Sequence, residues 1–416
     1  MTIVPLLDCS IVVNSQWNNE TMKQLNKVLI LLFLLLLPTQ LGKHFFFDFS
    51  YVSGVRIDYL SPTIHLTDIL ALLLILLNFK TVLSFIKKKE VVLILGVLLL
   101  GIGFAKLPPV SFYRYIKILE FVSLFAIFKY KPLRLQTGAL AFFFGALFEF
   151  ILVILQFTQK HSLQGLFYLF GERSLSLSLP GIAKASLDGE EILRPYGTFS
   201  HPNSLAGFYL VIYLFILTQK NIKPLFRYSL LLLTTLLVFI SFSKIAIVTL
   251  VVCSSLFIFR QKINCLLCKF ARVFVLVIVS LVFLLIQTDP LTVEKRLTLV
   301  KNSLEIIWAN PLFGVGLGSY VVAQQTIPIR FLDLMQPVHN IPLLLISEIG
   351  ILPFLLIVYL LKESIIRFIK TYPYLTFALL MTGFFDHYWL TLQQNFLLLA
   401  FLFAYSPIRN KISQSR

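Results

Sequence analysis

The chain has 416 residues, 58% of them hydrophobic and 13% charged, with a formal net charge of +17. Many apolar runs reach the ~20 residues a helix needs to cross a bilayer, so the composition is that of a polytopic membrane protein surrounded by membrane lipids. The basic residues are scattered between apolar runs and form no contiguous stripe, which excludes nucleic acid as a partner.

In chain order, residues 1 to 24 read as polar and irregular. Apolar runs follow near 25 to 41, 63 to 83, 91 to 106, 113 to 129, 135 to 158 and 204 to 219. Others fall near 227 to 242, 244 to 259, 271 to 287, 340 to 361, 373 to 388 and 391 to 406. This predicts an all-α polytopic membrane fold of about twelve transmembrane helices. No small-x-small site follows the first run, which is therefore read as an uncleaved span. Cys265 and Cys268 form a lone CxxC without a second pair or a nearby histidine, and the four cysteines make no disulfide framework. No metal site is expected.

Basic residues crowd into alternate connections: Lys87 to Lys89, Lys129 to Arg134, Lys220 to Arg227, Arg260 to Arg272 and Lys362 to Lys370. With Lys23 and Lys27 before the first span and Arg409, Lys411 and Arg416 after the last, the positive-inside rule puts both termini in the cytoplasm. The two longest connections, 159 to 203 and 288 to 339, then share the outer face, and the remaining ones barely span a turn. Connections this long are uncommon unless functional or disordered. These two are too apolar and too rich in motifs for disorder.

The first ends in RPYGTFSHPNSLAG (194 to 207), where Asn203 and Ser204 can cap the helix that follows. A helix N-terminus offers free N–H groups to a phosphate. Arg194, nine residues before Asn203, either anchors the interface or folds its planar donor fork over such a group. His201, before a proline, reads as a turn residue. A short outer turn, SFSK (241 to 244), ends in Lys244, which either snorkels or faces the same anion.

The second long connection opens with TVEKRLTLVKNSLEIIWAN (292 to 310). Val293, Leu297, Val300, Leu304 and Trp308 recur at helical spacing, which predicts an amphipathic helix lying in the membrane interface. Arg296 falls about 60° from the centre of that apolar face and leans toward the protein, where a guanidinium needs an anionic partner. In NPLFGVGLGSY (310 to 320) the alternating glycines make either a tight turn or a backbone nest for an anion. His339 and Asn340 stand ahead of an apolar run, at the mouth of a helix capped by Asn340. An imidazole there either marks the interface or moves a proton near neutral pH.

Taken in order, RPYGTFSHPNSLAG, the SFSK turn, the KRL segment leading to NPLFGVGLGSY, HN followed by Gly350, and FFDHYWLTLQQN (384 to 395) resemble the O-antigen ligase and Wzy-type polymerase family. The resemblance covers residues 190 to 400, while the first 190 match only as a hydropathy pattern. It implies a GT-C-like, metal-independent membrane glycosyltransferase without a cofactor, in the bacterial cytoplasmic membrane. Such an enzyme moves a glycan from a polyprenyl-pyrophosphate carrier to a hydroxyl of a glycan or lipid-glycan acceptor at the outer face. Carried over by position, Arg194, Arg296 and Lys244 would hold the pyrophosphate, with Asn203 and Asn340 beside them, and His339 would be the catalytic base. On this reading residues 1 to 190 hold the N-terminal helices, 191 to 406 the catalytic region and 407 to 416 a cytoplasmic tail. Lys244 stands where many members have arginine, and Pro353 where ligases often have a second glycine. Both departures leave ligase and polymerase undecided.

The bottom-up chemistry agrees, since a pyrophosphate leaving group needs cations on its developing charge and a base near the attacking hydroxyl. A transporter or lipid-linked glycan flippase is the rival class. It rests on Glu120, Glu149 and Glu348, three carboxylates inside predicted spans. Lys117, three residues before Glu120, offers simple pairing instead. Transporters tend to show internal repeats, and none is visible here.

Overall fold

The computed structural model describes residues 7–179, 181–187, 189–262, 265–288, 292–325 and 335–405. The expected tail with Arg409, Lys411 and Arg416 lies outside the described residues, as do 289–291 and 326–334 of the second long connection.

The chain is mostly helical. α1 (Leu7–Leu36) begins well before the apolar run, so residues 7 to 24 are helical rather than irregular. No glycine or proline interrupts that stretch, and nothing in it stops a helix. A short connection was expected next. Instead β1 (Gly42–His44), β2 (Tyr51–Val52), β3 (Val55–Arg56) and β4 (Thr63–His65) form two small antiparallel pairs, β1 with β4 and β2 with β3.

α2 (Leu66–Leu77) and α3 (Phe79–Ile86) then meet at an 87° bend, followed by α4 (Lys89–Gly101), α5 (Pro108–Tyr130) and α6 (Leu135–Gln159). The first long connection holds α7 (Leu166–Leu169), β5 (Lys184–Leu187) and β6 (Glu190–Leu193). α8 (Pro202–Thr218), α9 (Pro224–Ile240), α10 (Lys244–Arg260) and α11 (Leu266–Leu285) come next, and a disulfide joins Cys265, the N-cap of α11, to Cys268 in its first turn. That bond spans three residues and joins no separate elements.

β7 (Gln287–Thr288) pairs with β5 and so ties the two long connections together. The fold is therefore all-α apart from these small sheets, which form because connections between spans must satisfy their own backbone groups. α12 (Thr292–Ala309), α13 (Tyr320–Gln324), α14 (Ile341–Ile349), α15 (Ile351–Thr371), α16 (Pro373–Phe385), α17 (Tyr388–Thr391) and α18 (Gln393–Ala404) complete the described chain.

Among the described residues two helices, α6 and α11, are long and apolar enough to cross a membrane alone, or up to four if each bent pair counts as one span. Four more apolar helices, among them α8 and α18, are shorter. α11 displays Val275, Val282 and Leu285 at 60%, 62% and 78% exposure, a surface that water would not tolerate but lipid does. The opposite case is α8, apolar all round and buried along nearly its whole length. It is the central helix, and α1, α5, α6, α9, α10, α16 and α18 add buried side chains to the same core. A second core gathers Val52, Leu60, Leu299, Ile306, Tyr320 and Leu344. That core brings the N-terminal hairpins, α12, α13 and α14 to one end of the bundle, called here the loop end.

The run expected as one span over 340 to 361 is broken. α14 and α15 meet at 117°, with Gly350 at φ +81°. Any Cβ at Gly350 would lie 2.2 Å from the Leu312 carbonyl oxygen, and one at Gly314 would lie 2.6 Å from the backbone of Glu348 and Gly350. The glycine-rich loop thus locks backbone to backbone into the break. Gly316 N–H donates to Glu348 O at 2.8 Å, Val315 N–H to Ser347 O at 2.9 Å and Ile351 N–H to Pro311 O at 2.8 Å. These N–H groups hold protein carbonyls and are not open to an anion.

Candidate active site

The segment that carries Arg194 is stapled to α6. Gln156 accepts the N–H groups of Tyr196 and Gly197 at 3.0 and 2.8 Å, and Glu149 accepts the N–H and hydroxyl of Thr198. Glu149 therefore organises a loop. The segment runs into α8, whose N-cap is His201, with Nδ1 accepting from Asn203 N–H at 3.1 Å. The expected cap was Asn203 or Ser204. The shift by two frees the Asn203 amide for another use.

That use is a bridge. Asn203 Oδ1 accepts from the Arg194 guanidinium at 2.8 Å, and Asn203 Nδ2 donates to Asp386 Oδ2 at 3.1 Å. Arg194 Nε also donates to Ser241 O at 3.0 Å, so the SFSK turn packs on the same arginine. Asp386 lies between α16 and α17, 5% exposed. Its Oδ1 accepts the His387 N–H at 2.8 Å and faces His339 Nδ1 at 3.6 Å, an ion-pair separation longer than a hydrogen bond. The His339 and His387 rings pack edge to face with centroids 4.9 Å apart. His387 Nδ1 meets the Thr391 hydroxyl at 2.7 Å, and its other flank packs on Tyr59.

Arg296 reaches the loop end from α12. The helix is where the sequence predicts it, and Val293, Leu297, Leu304 and Trp308 form an exposed apolar ridge. Its protein-facing side is a different one, made by Leu299, Ser303 and Ile306, and Arg296 lies in register with it. The inward lean of Arg296 is therefore real, though for another reason. Its Nε is buried without a hydrogen-bond partner. A guanidinium in that state is costly until an anion meets it.

Lys244 starts α10, exposed, with no hydrogen bond or ion pair among the described residues. Asn340 caps α14, accepting from Leu343 N–H at 3.0 Å and donating to Phe384 O at 3.3 Å. Its amide thus serves protein partners. Lys117 pairs with Asp68 and lies 3.6 Å from Glu120, as the pairing reading expects.

Burial pulls the Arg194 guanidinium down to about 10, with the Arg296 charge adding to that, so it stays cationic near neutral pH. Burial also depresses His201 and His387, each to about 3, helped by Arg194 and by His339 respectively. For Asp386 burial works the other way, but His339, His387 and His201 outweigh it and hold the carboxyl well below its usual range. Ligating atoms of His339, Asp386 and His387 lie within 4.8 Å of one another, near enough to share a cation. Arg194 and Arg296 act on the same groups, and their positive charge suits an anion better.

Residues 229–358 match the O-antigen ligase family. The match covers just under a third of the chain and includes Lys244, Arg296, His339, Asn340 and the glycine-rich loop. Arg194, Asn203, Asp386 and His387 lie outside it, joined to it by the contacts above. It supports an O-antigen ligase- or polymerase-like glycosyltransferase role and, with the apolar helices, an integral membrane protein. None of the curated proteins matches the chain.

The sequence reading misses Asp386, His387 and Tyr59. The first two carry a signal, since an Asp-His pair inside an apolar run is expensive to place in a membrane without a purpose. Tyr59 carries none.

Proposed function

We propose that the protein transfers or polymerises a glycan from a polyprenyl-pyrophosphate carrier onto an acceptor hydroxyl, at the outer face of the bacterial cytoplasmic membrane. Residues 191 to 406 form its catalytic region within a GT-C-like bundle of about twelve spans, with both termini cytoplasmic. The reading rests most on one observation: a cation chain, Arg194 to Asn203, ends on the same Asp386 carboxylate that faces His339.

Arg194 and Arg296 hold the pyrophosphate, and Lys244 supplies a third cation nearby. Asn203 orients Arg194, and Asn340 fixes the start of α14 beside His339. With its proton on Nδ1, facing Asp386, His339 leaves Nε2 to accept. The acceptor oxygen attacks the anomeric carbon of the donor, and its proton passes to His339 Nε2. The bond from that carbon to the phosphate oxygen breaks, and the electron pair leaves with the carrier pyrophosphate. Arginines placed on charge that develops in the transition state stabilise it more than the ground state.

The test is reconstitution. Purified protein in nanodiscs, given a polyprenyl-pyrophosphate-linked glycan and candidate acceptors, should release polyprenyl pyrophosphate as the glycan lengthens or moves. Absence of any donor turnover would reject the reading.

A further inference from the structure

Beside the His339 centre lies a cavity of about 100 Å³, several-fold more than the ~10–15 Å³ that holds one water. It shares two walls with that centre: Thr391, which meets His387 Nδ1, and Tyr59, which packs on the His387 ring. Pro337, two residues before His339, also lines it. Arg194 and Asn203 reach Asp386 by another route and do not line the cavity. His339 thus stands between a cationic region and this space.

The walls are mostly aliphatic, with the rings of Tyr59 and Phe396 and a few hydrogen-bonding groups among them. Arg114 uses two of its five donors, on the carbonyls of Thr391 and Tyr59, at 3.4 and 3.3 Å. Glu348 lines the same wall, its carboxyl turned to the backbone N–H groups of Gly318 and Tyr320 within reach of the Arg114 charge. Lys117, also in the wall, is matched by Asp68 and Glu120. The wall thus holds acid groups as well as cations. A few donors and acceptors and a tyrosine ring set among apolar side chains suit the polar edges and apolar face of a sugar ring.

The geometry points to this cavity as the subsite for an uncharged sugar ring of the acceptor, with Arg114 and Glu348 selecting it and Tyr59 lying along it. This rests on the glycosyl-transfer reading and adds where the second substrate sits. A sugar seated there presents a hydroxyl toward His339 past Thr391, while the donor pyrophosphate occupies the arginine side.

The probe is a thiol at Leu345, a cavity-wall residue, introduced as Leu345→Cys in full-length protein without its native cysteines, in nanodiscs. Methyl glycosides of glucose, galactose and N-acetylglucosamine are tested against its modification by a small methanethiosulfonate, with inorganic pyrophosphate alongside. At least one glycoside should slow modification several-fold, Glu348→Gln should remove most of that protection, and pyrophosphate should leave the rate unchanged. Ile118→Cys, also in the wall, gives the same readout if Leu345→Cys does not fold. Protection by pyrophosphate, no protection by any glycoside, or a thiol that never reacts would overturn the assignment. Glycoside protection without any donor turnover would instead keep the sugar site and remove the functional reading.

Discussion

The carboxylate of Asp386 stands 3.6 Å from Nδ1 of His339, and its other oxygen is held by Asn203. One buried acid thus faces the proposed base and, through Asn203, fixes the position of Arg194. Asp386→Asn keeps the size and loses the charge that favours the Nδ1–H tautomer. It should lower kcat by about 10²-fold with donor KM little changed, the lower end of the range for general base loss. Raising the pH should not restore it. A variant with wild-type kcat would detach Asp386 from the chemistry.

The two arginines make a separate claim. Arg194→Ala and Arg296→Ala should remain folded in the membrane and lose about 10²- to 10³-fold in turnover, comparable to removing one donor from a developing anion. Lysine at either position should recover only part, because an ammonium lacks the two-pronged contact. Steady-state kinetics with purified lipid-linked donor check this. Full activity in both alanine variants would remove the clamp.

Acid stability follows from the buried histidines. His201 and His387 are each depressed to about 3 by burial, with Arg194 and His339 respectively adding to it. An unfolded histidine titrates near ~6.5. Between those values the unfolded chain binds more protons than the folded one, so stability rises with pH and is lost on acidification through that window. Asp386 acts in the same direction lower down, its contribution complete above ~3.9 and lost as pH falls through its depressed folded value. Thermal unfolding in nanodiscs should show Tm dropping from about pH 7 to about pH 5. His201→Asn, which keeps a good N-cap, should flatten that drop, and a Tm indifferent to pH in the wild type would contradict the burial of neutral histidines.

The proposed sidedness can be read with a thiol at Lys301, exposed on α12. Lys301→Cys, in a background without native cysteines, should react with an impermeant reagent added to intact spheroplasts. Reaction only after permeabilisation would place the loop end in the cytoplasm and move the site with it.

Much of the fold and part of the site can be read from residue order. The start of α8 is legible because a proline and polar residues mark it, but the cap falls on His201 rather than Asn203, and the bond from Arg194 to Asn203 is not written in their spacing. His339 can be found because a lone imidazole ahead of a capped apolar helix is conspicuous. Asp386 and His387 stand out by their polarity inside an apolar run between Phe384, Phe385, Tyr388 and Trp389, but nothing in the residue order says that they meet His339. The face of α12 misleads. Its apolar ridge, with Trp308 at 88% exposure, is a surface for lipid, whereas the usual rule takes the apolar side as the protein side. The break at Gly350 is equally hidden, because hydropathy runs through it while backbone packing against Leu312 decides it. Tyr59 lies in a three-residue turn, Asp58–Leu60, just after a hairpin whose strands are two residues long, and both are too short for any periodic signal.

The central claim is that His339 takes the acceptor proton. His339→Ala should abolish glycan transfer from purified polyprenyl-pyrophosphate-linked donor, by about 10² to 10⁴ in rate, in protein that still binds the donor with wild-type affinity. Full transfer by that variant in the same reconstituted assay would show that His339 is structural and that the mechanism is wrong.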